Sequence, residues 1–417
     1  MIDALRHKGK MKLGGGILMV GIAVLGAGAV FVFSPSGSIE IGGVTTDATK
    51  IQAWTAAVTP ALQKPLLGNE NAIQDVPPPG KIGHIPPELR ALYATSWSVS
   101  SPARLAYLSS LIEQRRLNAM IVDVKDYSGV LLYPIALPQL MGTQKIPFRI
   151  SRPNSFIRSM HQQGVYLIGR ISVFQDELLA KLHPEWAIHD AEGNIWRDHK
   201  GIPWLDPAAR EVWRYAVAVA RDALDRGFDE VNFDYIRFPS DGNIDEARYP
   251  FWSAARQPKS EVIREFSNYV RNQLAGEIIS ADIFGISVVK NDDLGIGQKF
   301  ESFLPFFDYV MPMTYPSHYS HGFLGYDQPA EHPYEVVRYS LARAVQRRQA
   351  VAATVTEPLA KIRIWVQSFD IHSRYDRKKI QAQINAIEEL RTTFQDAVAG
   401  WALWDPANRY QDFNNGT

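Results

Sequence analysis

The chain has 417 residues, enough for two or three average domains or for one large α/β barrel. Its 44 Lys and Arg balance 44 Asp and Glu, which excludes a nucleic-acid binder that works by bulk positive charge. The hydrophobic fraction of 46% excludes wholesale disorder. The absence of cysteine excludes disulfides, thiol nucleophiles and cysteine-ligated metal centres.

The first 33 residues are typical of a membrane-targeting segment. Basic residues within 1–12 precede an uncharged stretch at 13–33, which is long enough to cross a bilayer as a helix. The positive charge predicts that this end stays in the cytoplasm and that the rest is exported, as a single-pass inner or plasma membrane protein. A cleaved signal peptide, giving a secreted or periplasmic protein, is the alternative, because Ala27-Gly28-Ala29 resembles a cleavage site.

Residues 34–87 are rich in proline and lack a long apolar period. The run Pro77-Pro78-Pro79-Gly80 is incompatible with a helix or an inner strand. We therefore expect a flexible spacer at 34–87, followed by a globular domain at 88–417.

From residue 88 onward, short apolar strands alternate with amphipathic helices. Strands are predicted at 92–96, 119–124, 165–171, 230–236, 278–284, 309–313, 362–367 and 397–403. Helices are predicted at 101–116, 154–163, 208–226, 260–274, 334–348 and 377–392. This alternation predicts a (β/α)8 TIM barrel. A doubly wound open sheet is the alternative, but no glycine-rich phosphate-binding loop follows an early strand.

A long insertion follows the third predicted strand. The sequence Asp190-Ala191-Glu192-Gly193-Asn194 predicts a turn between two short extended pieces, and hence a hairpin lid over the cleft. Loops of this length are usually functional. The alternative is a hairpin that only covers the apolar rim of the barrel.

In a TIM barrel, chemistry is carried by residues where strands end and loops begin. Strand alternation sends Asn232 and Asp234 of the fourth strand into the barrel, and the fifth strand supplies Asp282. Two carboxylates across a cleft are what glycoside hydrolysis requires. A purely structural pairing of Asp234 with Arg170 or Arg237 is the alternative, because a buried carboxylate needs a partner.

Other side chains near strand ends are candidates for binding a sugar. Asp123 and Lys125 share one face of the second strand, where they either serve the site or form an internal salt bridge. Arg170 is placed to orient Asp234, to hold an anionic sugar, or to form a structural pair. The candidate substrate-binding residues are Asp123, Lys125, Arg170, Tyr235, Arg237, Tyr315, His318, Gln367 and Trp404. Aromatic rings for apolar sugar faces are offered by Trp97, Trp204, Trp365 and Trp404.

Several ordered motifs resemble one known family. They are IVDVKDYSG at 121–129, GFDEVNFDYIRFP at 227–239, ADIFG at 281–285, IGQ at 296–298 and MPMTYPSHY at 311–319. Together they resemble a largely uncharacterised family of bacterial glycoside hydrolase domains in the TIM-barrel glycosidase superfamily, over roughly residues 89–404. The resemblance implies a barrel fold and action on a glycan.

By the same resemblance, Asp234 is the nucleophile or charge stabiliser, and Asp282 is the candidate general acid. Many barrel glycosidases place a glutamate at the acid position, whereas no glutamate stands at the carboxyl-terminal end of a predicted strand in this sequence. Retention or inversion depends on the separation of the two carboxyl groups, about 5–5.5 Å or 6.5–9.5 Å.

Histidines after the sixth strand raise the question of a metal. His318 and His321 form an H-x-x-H pair with His332 downstream, but the fuller H-E-x-x-H signature is absent. We therefore expect no metal or other cofactor, and we expect His318 to hydrogen-bond a sugar hydroxyl or to cap its loop.

The sequence thus predicts an exported, membrane-tethered glycosidase that acts on a cell-envelope or extracellular polysaccharide through Asp234 and Asp282. Nucleic acid is not an expected partner. A non-catalytic glycan-binding barrel is the alternative from another class. A metal-dependent polysaccharide deacetylase or hydrolase is the third hypothesis, and it requires three ligands that converge near His318.

Overall fold

The structure is a computed structural model that describes residues 75–137 and 146–410, together with three short strands nearer the N-terminus. These strands, Val32–Phe33, Ser38–Ile41 and Val44–Asp47, form an antiparallel sheet. The predicted membrane segment at 13–33 lies outside the described residues except for its last two. Among the residues that are described, no helix combines the length and the hydrophobicity needed to span a bilayer.

Eight parallel strands close into a barrel, which confirms the predicted TIM-barrel fold. They are β1 (Leu89–Ala94), β2 (Ala119–Lys125), β3 (Tyr166–Ser172), β4 (Glu230–Asp234), β5 (Ile279–Phe284), β6 (Tyr309–Met313), β7 (Lys361–Gln367) and β8 (Val398–Trp404). The barrel closes where β8 meets β1 at Gly400 and Leu89. Gly400 has a φ of 115°, and a Cβ there would lie 2.0 Å from the carbonyl oxygen of Leu89, so the closure requires glycine.

Eight α-helices lie among the described residues, mostly between successive strands. They are α1 (Ser96–Ser100), α2 (Pro102–Gln114), α3 (Pro153–Gln162), α4 (Glu177–Leu182), α5 (Arg210–Arg226), α6 (Lys259–Gln273), α7 (Pro333–Ala352) and α8 (Arg377–Thr393). Proline occupies the first turn of α2, α3 and α7, where its missing N–H costs nothing. Asp176 and Asp376 cap α4 and α8 by accepting from the backbone N–H of Leu179 and Lys379.

Strand alternation divides the apolar side chains into two clusters. The larger cluster lies between strands and helices and includes Val231 and Phe233 of β4. The smaller cluster fills the barrel interior and includes Ala91, Ile121 and Ile168. The predicted facing of β4 is confirmed, since Asn232 between the two outward residues hydrogen-bonds inside the barrel.

Residues 75–87, which we call the N-terminal strap, run along α3 and then beneath the barrel. Asp75 accepts a hydrogen bond from the backbone N of Asn154 at 2.8 Å, at the start of α3. Further along, the backbone N of Ile82 donates to Asp229 at 2.7 Å, just before β4 begins. The Ile82 side chain packs against the interior cluster at the lower end of the barrel. This part of the expected spacer is therefore packed on the barrel.

Candidate active site

Four buried charged side chains meet at the carboxyl-terminal ends of β2 to β5. The guanidinium of Arg170 on β3 lies at their centre. Its Nη1 is 2.5 Å from Asp123 Oδ1, its Nη2 hydrogen-bonds Asp234 Oδ2, and its Nε is 3.8 Å from Asp282 Oδ2. All four side chains are at most 5% exposed. We call this group the Arg170 cluster; it unites both predicted catalytic residues with two of the predicted binding residues.

Asp282 is the member of the cluster that favours its neutral form. Its Oδ1 accepts hydrogen bonds from Asn232 Nδ2 at 2.9 Å and from the indole N–H of Trp365 at 2.8 Å. Burial, followed by the negative charge of Asp234, raises the pKa of Asp282 well above its usual range. A carboxyl group in this state holds a proton that it can donate at neutral pH.

Asp123 shares the guanidinium but has a different second partner. The hydroxyl of Tyr93 on β1 donates to Asp123 Oδ2 at 2.5 Å. Burial raises the pKa of Asp123 to about 6, although Arg170 and Tyr93 act in the opposite direction. Asp123 therefore titrates closer to neutrality than an exposed aspartate.

Asp234 ends β4, and the chain turns sharply after it. Tyr235 has a φ of 55°, a left-handed conformation that an aromatic residue rarely adopts and that costs on the order of 1–3 kcal/mol. In this turn the backbone N of Tyr235 donates to Asp234 Oδ1 at 2.5 Å. Both carboxylate oxygens of Asp234 are thus fixed, one by this N–H and one by Arg170. Of the two structural partners expected from the sequence, Asp234 contacts Arg170 and not Arg237.

An aromatic wall flanks the Arg170 cluster. The rings of Tyr93 and Trp404 stack with centroids 4.0 Å apart, and Arg170 Cζ lies 5.0 Å from the Trp404 centroid. Trp365 stands edge-on to Trp404 at 5.3 Å. Trp204 and Trp365 are buried, whereas Trp404 is half-buried and Trp97 is 63% exposed. Trp404 is therefore the ring of this wall that a sugar can reach.

Tyr315 and His318 lie in the loop after β6, where both rings stand edge-on to Phe369. The buried hydroxyl of Tyr315 has no hydrogen-bond partner among the described residues. Burial, followed by the charge of Asp282, raises its pKa well above the usual range, so the hydroxyl keeps its proton. His318 contacts the hydroxyl of Ser317 through Nδ1 at 3.0 Å, and partial burial, with the charges of His372 and Lys200, lowers its pKa.

Lys125 does not share a face with Asp123, so that expectation is wrong. The pairing of β2 with β3 shifts register between these two residues, and the shift turns Lys125 outward. Its Nζ lies 2.6 Å from Asp176 Oδ2 and 5.5 Å from the ring centroid of Tyr215. Lys125 therefore fixes the start of α4 and not a substrate.

Gln367 is fully buried and supports the loops of the mouth. Its Oε1 accepts from the backbone N of Ser317 at 3.1 Å, and its Nε2 donates to the carbonyl of Phe369 at 2.9 Å. Both ends of the amide are thus used within the protein. The structure places Gln367 as a positioning residue for the Tyr315 loop, in contrast to the expected contact with sugar.

The insertion after β3 forms the predicted hairpin. His189 pairs with Ile195 across the turn, and Ala187 pairs with Leu205 at the base. Trp204 at this base lies edge-on to Tyr235, with ring centroids 5.7 Å apart. The hairpin therefore covers the end of β4, next to Asp234.

The histidines after β6 do not converge. His321 pairs with Asp327, and His332 stacks on Tyr326 with ring centroids 3.7 Å apart. Within residues 75–137 and 146–410, no three His, Asp or Glu side chains are grouped in a way that could hold a metal ion. The ligand set that the metal-dependent hypothesis requires is thus absent from the described part of the chain.

Sequence reasoning missed Tyr93 and the hydrogen bond from Trp365. The predicted first strand, 92–96, began too late, so Tyr93 was not seen as the last inward residue after Leu89 and Ala91. The period-two pattern of those three residues was the available signal. No sequence signal indicates that the indole of Trp365 reaches Asp282, because that contact depends on a rotamer.

Together, a closed (β/α)8 barrel and a carboxylate cluster at the carboxyl ends of its strands define a barrel hydrolase. The chain belongs to the family described as "Putative glycosyl hydrolase domain", whose model matches residues 91–410. It is therefore a glycosidase, and the resemblance seen in the sequence is confirmed.

Solved structures offer further likenesses. A hypothetical protein from Ruminiclostridium thermocellum ATCC 27405 is 33% identical, with 49% of this chain and 98% of that chain covered and a TM-score of 0.41. An alpha-galactosidase from Thermus thermophilus is 13% identical, with 92% and 73% covered and a TM-score of 0.45. The glycoside hydrolase domain of PelA from Pseudomonas aeruginosa is 11% identical, with 78% and 96% covered and a TM-score of 0.43. A comparison with curated proteins gives no match.

Proposed function

We propose that the protein cleaves glycosidic bonds of a cell-envelope or extracellular polysaccharide, with Asp234 and Asp282 as the carboxyl pair. The observation that carries this proposal is the unequal environment of two carboxyl groups beside one guanidinium. Asp234 accepts hydrogen bonds from Arg170 and from the backbone N–H of Tyr235 on its two carboxylate oxygens. Burial and the charge of Asp234 raise the pKa of Asp282. A carboxyl group with a raised pKa beside a second carboxyl group in a polar, hydrogen-bonded setting is the arrangement in which one acts as acid and the other as base or nucleophile.

The division of roles follows from this asymmetry. Asp282 donates its proton to the glycosidic oxygen while the bond from that oxygen to the anomeric carbon breaks. Asp234 either forms a bond to the anomeric carbon or takes a proton from the attacking water. In the first case the ionised Asp282 then takes a proton from the water that releases the sugar. Arg170 acts as a positioning residue that orients Asp234.

Side chains around the pair are suited to hold a sugar. The accessible ring of Trp404 suits the apolar face of a pyranose, as aromatic rings do in sugar sites generally. The buried hydroxyl of Tyr315 has no partner among the described residues, so a substrate hydroxyl that reached it would satisfy it. The exposed ring of His318 adds a hydrogen-bonding group beside it.

The non-catalytic alternative requires a cleft with Asp234 but without a second carboxyl group in reach. In the structure, Asp123 and Asp282 contact the same guanidinium as Asp234. This arrangement favours hydrolysis over binding alone.

The experiment that tests the proposal is reducing-sugar release by the full chain from a panel of bacterial envelope polysaccharides and exopolysaccharides. The Asp234→Asn variant should lose at least about a hundredfold in rate, the scale of a catalytic group. Asp225→Asn, the same substitution on the exposed face of α5, is the matched control and should keep the wild-type rate. Equal rates in wild type and Asp234→Asn would remove Asp234 from catalysis. A silent wild type that still binds glycan would favour the binding barrel.

We further propose that residues 13–33 anchor the chain in the inner or plasma membrane, with the barrel on the exported side. Support comes from the basic residues that precede the uncharged stretch. Alkaline carbonate extraction of membranes tests the anchor, because an integral protein stays in the pellet. Release of a shortened chain into the supernatant would favour the cleaved or secreted form, and release of the full chain would overturn the anchor.

A further inference from the structure

Arg237 is a buried cation three residues after Asp234, at the same end of the barrel. It is 7% exposed, and its Nη1 donates to the carbonyl of Phe238 and to Ser240 Oγ, both at 3.1 Å. No ion pair to a carboxylate is found for it within residues 75–137 and 146–410, and its Nε and Nη2 have no hydrogen-bond partner there. Burial lowers its pKa, because the carboxylates around it are too far away to compensate fully.

The other buried arginines show how unusual this is. Four arginines are buried among the described residues. Arg170 contacts three carboxylates, Arg347 pairs with Glu301, and Arg363 pairs with Glu230. Arg237 is the exception. A buried cation without a carboxylate partner is costly to desolvate, so its place at the mouth needs another explanation.

Aromatic rings surround the Arg237 guanidinium without neutralising it. Its Cζ lies 4.6 Å from the Phe284 centroid, 4.7 Å from Trp204 and 5.3 Å from Tyr235. These contacts offset part of the cost of burying the charge, and they fix the plane of the guanidinium. A planar guanidinium that is held this way, with Nε and Nη2 unpaired, has the geometry for two parallel hydrogen bonds to one carboxylate.

A further cation, Lys200 of the hairpin, lies near the mouth. Burial lowers the pKa of His318, and the charges of the exposed His372 after β7 and of the exposed Lys200 act in the same direction. Arg170 itself is occupied by Asp123, Asp234 and Asp282, so it is not the group that would hold an anionic sugar.

We propose that Arg237 binds a carboxylate of the substrate in a subsite beside Asp234, and that the polysaccharide is therefore an acidic one. The inference deepens the proposed function and rests on it for the position of the cleavage site. The carboxylate of a uronic acid unit, or of another acidic substituent, would replace the counter-ion that the protein does not supply. The pair would be screened from water by Trp204 and Phe284, which strengthens it.

The test compares polymers that differ in charge alone. Hyaluronate, alginate and polygalacturonate are each paired with a form whose carboxyl groups have been reduced to alcohols. For the acidic polymer that the full chain hydrolyses, kcat/KM should exceed that for the reduced form by at least about tenfold. In Arg237→Gln this ratio should fall to about one. Arg237→Lys, which keeps the charge but loses the two parallel N–H donors of the guanidinium, should give an intermediate ratio.

Arg210→Gln is the matched control, because Arg210 also stacks on a tryptophan, at 3.6 Å from Trp213, but on the outer surface of the barrel. It should keep the wild-type ratio. An unchanged ratio in Arg237→Gln would overturn the inference.

A binding experiment distinguishes a failure of this inference from a failure of the proposed function. Native gels that contain each polymer compare the single variant Asp234→Asn with the double variant Asp234→Asn/Arg237→Gln. Retardation by an acidic polymer that Arg237→Gln abolishes would support the subsite even if no polymer is hydrolysed. Equal retardation by acidic and reduced polymers, or none by any acidic polymer, would overturn it.

Discussion

The two ends of strand β4 carry carboxylates in opposite situations. Glu230, its first residue, is fully buried at the lower end, where Arg363 Nη1 contacts both carboxylate oxygens at 2.9 and 2.8 Å. The hydroxyl of Tyr166 donates to the same carboxylate at 3.2 Å. Asp234, its last residue, shares the Arg170 guanidinium with two further aspartates. One cation thus meets one anion below and three above.

The difference separates a structural ion pair from a reactive one. At the lower end the charges cancel, the donors converge on one carboxylate, and both side chains are shut off from water. At the upper end the carboxylates outnumber the cation. Burial raises the pKa values of Asp123 and Asp282, and the charge of Asp234 adds to the rise for Asp282. A surplus of buried carboxylates is costly for folding, and such sites are where proton transfer is found.

The largest effect is expected from breaking the lower pair. Arg363→Met should lower the free energy of unfolding by about 3–5 kcal/mol, because it leaves Glu230 buried without a cation. Urea unfolding followed by tryptophan fluorescence measures the loss. The double variant Arg363→Met/Glu230→Leu should recover most of it, since no buried charge remains.

Arg210→Met is the control for this experiment. Arg210 pairs with Glu265 at the surface, where a single ion pair contributes at most about 1 kcal/mol. An Arg363→Met variant that unfolds at the wild-type urea concentration would show that the lower pair is not structural.

A smaller effect, on rate, is expected at the upper end. Asp282→Asn should lower kcat/KM about a hundredfold at neutral pH, because the proton donor is lost. In the wild type, activity should fall as the pH rises through the raised pKa of Asp282. The variant has no proton to lose there, so this fall should be absent from its pH profile.

Substrates that differ in leaving group sharpen the assignment of Asp282. An aryl glycoside with an acidic phenol needs little protonation, and it should be hydrolysed by Asp282→Asn at a rate closer to that of the wild type. An equal loss for good and poor leaving groups, together with an unchanged pH profile, would argue against Asp282 as the acid.

The smallest effect concerns stability and pH. The pKa of Asp123 is raised to about 6, so the folded state holds its proton more tightly than the unfolded state. That contribution to stability is present below about pH 4 and is lost as the pH rises through 6. Asp123→Asn should therefore gain about 1–3 kcal/mol over the wild type at pH 8 and nothing at pH 4.

Urea unfolding at the two pH values measures this gain. Asp225→Asn, on the exposed face of α5, should show no gain at either pH. A gain for Asp123→Asn that is the same at pH 4 and pH 8 would contradict the assigned cause.

Strand alternation predicted most of the fold and the location of the carboxylates of the candidate site. The eight barrel strands and the inward facing of Asn232 and Asp234 follow from period-two patterns, and the placement of Asp234 and Asp282 on neighbouring strands follows from the strand ends. Lys125 was misplaced because a register shift breaks that period, and nothing in the residue types marks the shift.

The convergence of three aspartates on Arg170 could not be predicted from the sequence. It depends on rotamers and on which neighbouring strands meet at the same height. Nor can a sequence show that Arg237 lacks a carboxylate partner, because that depends on which side chains lie near it in the fold. Its Y-I-R-F-P setting could have been read as a turn, but not as an aromatic enclosure.

The N-terminal strap belongs to the folded domain but lies outside the range that matches the family. The family match begins at residue 91, inside β1, whereas Asp75 and Ile82 already make contacts with α3 and with the residues before β4. A fragment cut at the family boundary would uncover the lower opening of the barrel and the start of α3. A stable form of the domain therefore calls for a start before residue 75, a boundary set by the hydrogen bonds of the strap.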